Sequence, residues 1–133
     1  QHLELVAGDV AQVPLVGPAF AIAEGLLVYL TGEARRALFA RVRAAATAFV
    51  FDLVPASEEP VPGAIGRLLE AGMKRFTGGR SFERDAHTRE QIADELRDAG
   101  FETVTAFAAR DVAGPWHLPF PERDTNVIVW RAT

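Results

Sequence analysis

The sequence predicts an α/β domain with a mixed sheet. Short apolar runs that are typical of buried strands alternate with a segment of helical periodicity, which is the pattern of a β-α-β unit. The run Ala19–Ala23 is followed by a helical segment at 31–47 and by a second apolar run at 49–54. No helical pattern separates the last two strand-like runs, 102–108 and 126–130, so we expect them to pair antiparallel.

Composition narrows the class of protein. The chain has 133 residues, 49% apolar and 24% charged, which is typical of one globular domain and excludes disordered, collagen-like and coiled-coil chains. A net charge of −4 does not favour a nucleic-acid partner. The lack of cysteine excludes disulfides and fits a cytoplasmic location. The longest apolar stretch, 13–30, contains two prolines and a glutamate, so we expect no membrane anchor.

The first half of the chain is predicted to contain two strands, a helix and a third strand. Residues 2–7 alternate in polarity and end in a turn at Gly8-Asp9. The run Ala19–Ala23 is continuously apolar, as in strands covered on both faces. Thr31 is the predicted N-cap of the helix. Its buried face is expected to comprise Ala34, Leu38, Val42 and Ala45, and the arginines expected in solvent are Arg35, Arg36 and Arg43.

The second half is predicted to add two helices and two strands. Residues 57–87 are expected to form a helical insert, which we call the lid, with a helix that begins near Pro62 and ends at Gly78-Gly79. A helix at 88–99 is marked by a capping box and by Gly100, which suits a left-handed cap. The order is β, β, α, β, α, α, β, β in a single domain, 1–133.

The sequence lacks the motifs of several common kinds of binding and catalytic site. The chain contains neither a phosphate-binding G-x-x-x-x-G-K-[ST] loop nor a G-x-S-x-G nucleophile elbow. Its three histidines lack metal-ligand spacing, so no metal site is expected. No catalytic residue is identified.

Position in the fold indicates where a ligand would bind. In open α/β sheets ligands bind outside the carboxyl ends of the strands, and Asp9 and Glu24 follow the first two predicted strands. Both would equally fit solvated turn residues. Asp52 lies inside its strand-like run and is interpreted either as a paired structural acid or as a group that faces the site.

One segment resembles a known family. Residues 21–30, A-I-A-E-G-L-L-V-Y-L, resemble the A-E-G-[LV]-[LMV]-x-Y-L segment of the leucine carboxyl methyltransferase family, which includes O-methyltransferases of polyketide biosynthesis. Residues 6–10, 96–101 and 126–130 resemble further segments of that family. The resemblance implies the C-terminal part of a class I (Rossmann-like) methyltransferase fold, with S-adenosylmethionine as cofactor.

The resemblance also implies roles for individual residues. Asp9 would accept a hydrogen bond from the adenine amino group, and Val10 would lie against the adenine ring. Glu24, with the backbone of Gly25 and Leu26, would lie beside the methionyl amino group and the sulfonium. The candidate substrate-binding residues are Tyr29, which would face the substrate pocket or pack beneath it, and the lid cations Lys74, Arg75 and Arg80.

The implied reaction is methylation of a carboxylate, or of a hydroxyl, on a small-molecule or polyketide-like acceptor. Family members carry a glycine-rich cofactor loop that has no counterpart before Asp9. We therefore expect the isolated chain to be inactive, and to form a homo-oligomer or to associate with a missing N-terminal half. The alternatives are a non-catalytic half-domain that acts as a binding or oligomerisation module and a Rossmann-like oxidoreductase, which would need a glycine fingerprint that the chain lacks.

Overall fold

A computed structural model describes residues 8–10, 12, 14–55, 58, 87–108, 110–111 and 127–133. Within them lie four strands, two α-helices and a short 3₁₀ turn, Leu27–Tyr29. The predicted strand at 2–7 and almost all of the lid lie outside the described residues. The elements are β1 (Ala19–Ala23), α1 (Gly32–Ala45), β2 (Ala46–Asp52), α2 (Arg89–Asp98), β3 (Val104–Ala108) and β4 (Ile128–Ala132).

The four strands form one mixed sheet in the order β1-β2-β4-β3. Strands β1 and β2 are parallel and are connected through α1. Strand β4 lies antiparallel between β2 and β3. The predicted α/β class and the antiparallel pairing of the last two strands are therefore confirmed.

Helix α1 begins where the sequence predicts and ends earlier. The Thr31 side chain accepts a hydrogen bond from the Ala34 N–H at 3.2 Å, which caps the first turn. The helix stops at Ala45, two residues short of the predicted end, and β2 begins at Ala46. The reason is tertiary, because Ala46 pairs with Ala19 and extends the parallel ladder.

Helix α2 is delimited by the predicted signals at both ends. Thr88 and Gln91 form the capping box, in which each side chain bonds the other residue's backbone N–H. Gly100 has φ +99°, and its N–H donates to Arg97 O while the Phe101 N–H donates to Leu96 O. These two bonds form a Schellman motif, and Phe101 is buried.

The core lies on one face of the sheet. Phe49 and Phe51 of β2 lie against Phe39 of α1, with ring centroids 6.1 and 5.5 Å away. Trp130 of β4 stacks on Phe51 at 6.1 Å. Its indole N–H donates to the Leu53 carbonyl at 2.9 Å, so the buried polar group is satisfied.

The opposite face of the sheet is exposed at β1, and no described helix covers it there, which corrects the prediction that β1 is buried on both faces. Phe20 and Ile22 are 60% and 70% exposed, whereas Ala23 is buried. Both described helices cover the face that carries Phe49 and Trp130, so the alternate residues of β1 at the edge of the sheet remain uncovered.

The α1 arginines differ from the prediction that all three are solvated. Arg35 is only 2% exposed, and its Nε and Nη2 donate to Glu95 Oε2 of α2 at 3.0 and 2.7 Å. Arg43 is exposed, yet its Nε donates to the carbonyl of Gly100 at 2.8 Å. Arg36 is largely exposed, as expected, although it also reaches Glu95. Arg35 therefore joins α1 to α2, and Arg43 joins α1 to the turn that follows α2. Helical periodicity does not reveal either role.

Candidate functional site

The carboxyl ends of β1 and β2 lie side by side. The parallel register pairs Ala23 with Phe51, so the residues that follow, Glu24 and Asp52, lie at the same edge of the sheet. A hydrogen bond joins the two chain segments there, since the Gly25 N–H donates to Asp52 Oδ1 at 2.6 Å. Asp52 is thus a structural acid that also faces the predicted site, which unites the two interpretations left open by its position in the strand.

The segment 24–27, which we call the acidic turn, has a defined backbone. Gly25 adopts φ +60°, a conformation that side-chain-bearing residues rarely take. Beyond it, Leu26 O accepts from the Tyr29 N–H at 3.1 Å and begins the 3₁₀ turn. Leu27 is fully buried, so the far end of the acidic turn is anchored in the core.

Within the acidic turn, each predicted cofactor residue has a different environment. The Glu24 side chain is exposed, and no described residue forms a hydrogen bond or ion pair with its carboxylate. Leu26 is half-buried and packs against the core. The Gly25 N–H is already donated to Asp52, so Gly25 supplies backbone shape rather than a free donor.

The other predicted cofactor residues are held by α1. Asp9 is exposed, and its carbonyl accepts from the Gln12 N–H at 2.8 Å, which forms a turn. Val10 packs against the core cluster. Its carbonyl accepts a hydrogen bond from Arg41 Nη1 at 3.0 Å. Arg41 therefore fixes the Asp9-Val10 pair to the helix, a contact for which the sequence gives no signal.

The structure describes only one of the predicted substrate residues. Tyr29 lies at the end of the 3₁₀ turn and is 64% exposed, so it does not pack beneath the site as a core residue. Lys74, Arg75 and Arg80 lie outside the described residues, and their role stays a prediction.

The two ends of the lid are joined at its base. Arg89 donates from Nε and Nη2 to the two carboxylate oxygens of Glu58 at 2.5 and 2.6 Å. This side-chain hydrogen bonding holds the pKa of Glu58 below its ordinary value and raises the pKa of Arg89. Residue 58 is the second residue of the predicted lid, and residue 89 lies two positions beyond its last residue, so this ion pair joins the chain near the beginning of the lid to the first turn of α2.

The described parts of the chain contain no cluster of three histidine, cysteine or acidic residues that could hold a metal. None of their helices is long and apolar enough to cross a membrane. A cavity of about 390 Å³ lies between α2 and strands β3 and β4. Among the described residues, none of the predicted cofactor residues lines it, and neither does Tyr29.

Comparison with solved structures identifies the fold. The chain superimposes on a candidate O-methyltransferase of Nostoc punctiforme (TM-score 0.61, 12% identity), on the S-adenosylmethionine-dependent methyltransferase SibL (0.59, 17%) and on human N-acetylserotonin methyltransferase in complex with S-adenosylmethionine (0.58, 14%). These alignments cover 96%, 96% and 94% of this chain and 34%, 34% and 32% of those chains, so it spans about a third of their length.

Sequence comparison adds no family assignment, since neither a protein-family profile nor a curated protein matches the chain. Membership of the leucine carboxyl methyltransferase family therefore stays a prediction. In this chain β4 lies antiparallel between strands that run parallel to one another. The chain has the α/β fold of part of a Rossmann-like methyltransferase domain.

Proposed function

We propose that the chain forms one side of the cofactor site of an S-adenosylmethionine-dependent methyltransferase. The observation that carries the proposal is the Glu24 carboxylate, which pairs with no described residue and lies on a fixed turn at the carboxyl edge of the parallel strands. Ligands bind at this edge in open α/β sheets. Structural similarity to an S-adenosylmethionine-dependent methyltransferase and to a methyltransferase in complex with S-adenosylmethionine supports the same ligand here.

Charge explains why this ligand fits. S-adenosylmethionine carries positive charge on its amino and sulfonium groups, and an opposite charge within about 4 Å contributes on the order of 1–4 kcal/mol, depending on how well water is excluded. Glu24 supplies a carboxylate that no described residue neutralises. In the Asp9-Val10 pair, the exposed Asp9 would accept a hydrogen bond from the adenine amino group, and the apolar Val10 would pack on the adenine ring.

The reaction that we propose is O-methylation of a carboxylate on a small acceptor, with a hydroxyl as the second possibility. When bound, the cofactor would supply an electrophilic methyl group to an acceptor oxygen, and its sulfur would keep the electrons of the broken bond. A carboxylate is already ionised near neutral pH. The chain would therefore contribute mainly alignment and exclusion of water, and no general base is required.

The rest of the site would come from polypeptide beyond these 133 residues, either in the same chain or in a partner. The exposed side of β1 supports this, since Phe20 and Ile22 present apolar side chains on a strand that lies at the edge of the sheet formed by the described residues. Edges of this kind are normally covered or paired. We propose a covering N-terminal half or a second copy of the chain, a cytoplasmic location, and little activity for the isolated segment.

Calorimetric titration of the complete polypeptide with S-adenosylmethionine and with S-adenosylhomocysteine tests the cofactor. We expect both to bind, and Glu24→Gln to weaken S-adenosylmethionine about tenfold, which is the equivalent of about 1.4 kcal/mol. Glu102→Gln is the matched control, because Glu102 is exposed and precedes β3 at the opposite edge of the sheet. No binding of either nucleoside, or equal losses in the two variants, would refute the proposal.

A second experiment tests the acceptor. The loaded protein is incubated with small molecules that carry either a carboxylate or a hydroxyl, and products are identified by mass spectrometry before and after treatment with alkali. A methyl ester is cleaved by alkali and a methyl ether is not, so the proposed carboxylate acceptor predicts an alkali-labile product. A product that survives alkali would assign hydroxyl methylation instead.

A further inference from the structure

The acidic turn needs an anchor on its strand side. Gly25 has no side chain and adopts φ +60°, and no atom outside its neighbours lies within 4 Å of where its Cβ would be. Packing therefore does not fix its conformation, and glycine has more backbone freedom than any other residue. The contact that restrains it within the described residues is the 2.6 Å hydrogen bond from its N–H to Asp52.

This bond also orients the residue before Gly25. The peptide unit is planar and trans, so a fixed N–H direction at Gly25 fixes the carbonyl of Glu24 on the opposite side. The Cα of Glu24 belongs to the same plane, and the peptide unit on its other side continues from the last residue of β1. The two peptide units together set the starting direction of the Glu24 side chain. Asp52 itself is fixed, because it ends β2 and pairs with Val129 of β4 in the middle of the sheet.

We propose that Asp52 is a positioning residue of the cofactor site. Its carboxylate holds the Gly25 N–H, and through that peptide unit it keeps the Glu24 carboxylate directed at the cationic end of the cofactor. Hydrogen bonds from a backbone N–H to a carboxylate are stronger than neutral ones, which suits a single bond that has to order a glycine turn. The inference rests on the proposed function for its ligand, but the ordering of the turn can be measured without ligand.

Two substitutions separate the acceptor atom from the charge. Asp52→Asn keeps an oxygen that can accept from Gly25, whereas Asp52→Ala removes the acceptor. Asp94→Ala is the matched control, because the Asp94 carboxylate lies on the exposed surface of α2 and pairs with Arg97. All measurements use the complete polypeptide below the onset of unfolding, as checked by circular dichroism, so that a global loss of stability is not mistaken for a local effect.

The first readout is hydrogen exchange of the Gly25 amide in the absence of ligand. We expect Asp52→Ala to accelerate it about tenfold or more, the equivalent of one charged hydrogen bond, and Asp52→Asn and Asp94→Ala to leave it within about threefold. The second readout is the dissociation constant for S-adenosylmethionine. We expect Asp52→Ala to raise this constant more than Asp52→Asn or Asp94→Ala does.

The outcomes distinguish this inference from the proposed function. Unchanged Gly25 exchange in Asp52→Ala, or unchanged cofactor affinity in that variant, overturns the positioning role while leaving a cofactor-binding wild type intact. Equal losses in Asp52→Asn and Asp52→Ala also overturn it, since the charge rather than the acceptor would then be what matters. Failure of the wild type to bind either nucleoside overturns the proposed function, and the cofactor part of this inference with it.

Discussion

Substitution of Arg35 by methionine should destabilise the fold more than any other change of a charged residue on α1. The guanidinium is 2% exposed, donates twice to Glu95 Oε2 and lies 3.3 Å from His87 Nδ1. Removal of one partner from a buried ion pair costs about 3–5 kcal/mol, because the remaining charge stays buried without compensation. Glu95 would keep its 3.2 Å contact with Arg36. We therefore expect the free energy of unfolding to fall by about 3 kcal/mol, near the lower end of that range.

Urea denaturation followed by circular dichroism measures this loss. Arg36→Met is the matched control, because Arg36 contacts the same carboxylate but is 57% exposed, and exposed pairs contribute about 0–1 kcal/mol. The double variant Arg35→Met/Glu95→Leu should recover most of the stability, since it removes both buried charges. The reasoning is refuted if Arg35→Met costs no more than Arg36→Met.

Three further changes test other parts of the fold. Gly100→Ala should cost about 1–2 kcal/mol through strain at φ +99°, and a thermal midpoint equal to that of the wild type would contradict this. Trp130→Phe should cost about 1–3 kcal/mol in urea denaturation, because it leaves the buried Leu53 carbonyl without its donor; a smaller loss would mean that another group satisfies that carbonyl. The Glu58 pKa is held low by Arg89, so the contribution of this pair to stability is present above about pH 4.3 and is lost as the pH falls through the lowered folded value. Arg89→Gln should therefore cost about 0.5–1 kcal/mol at neutral pH and nothing in strong acid, whereas a loss independent of pH would exclude this explanation.

Local signals predicted the elements whose ends are set by the chain itself. Helix α2 has a capping box at Thr88 and a left-handed glycine after Ala99, and the structure has both. Strand β1 was predicted at its observed bounds, because its apolar run is limited by Pro18 and by the turn at Glu24. These boundaries depend on contacts within a few residues, which a sequence pattern can report.

Features that depend on distant partners were not predictable in the same way. The start of β2 at Ala46 follows from pairing with Ala19, and the burial of Arg35 follows from Glu95, sixty positions away. The open face of β1 has the same origin, because an apolar run does not reveal which of its faces will be covered. Periodicity shows which side chains share a face, but not what packs against that face.

The position of residues at the ends of predicted strands located the candidate site, and the structure added the contacts that hold it. The rule that ligands bind at the carboxyl ends of strands selected Asp9 and Glu24, and both lie exposed at the ends of their segments. Two hydrogen bonds hold these segments in place. One joins Gly25 to Asp52, 27 positions apart, and the other joins Arg41 to Val10, 31 positions apart. Neither contact leaves a motif in the sequence.

The most direct test of the account is a nuclear magnetic resonance titration of the ¹⁵N-labelled complete polypeptide with S-adenosylhomocysteine. The account predicts that the amide resonances of Val10, Gly25 and Leu26 shift with saturation, while those of Gly100 and of residues lining the cavity beside α2, such as Ala93, stay in place. Shifts centred on that cavity, or the absence of any saturable shift, would contradict the claim that the acidic turn and the Asp9-Val10 pair form a cofactor site.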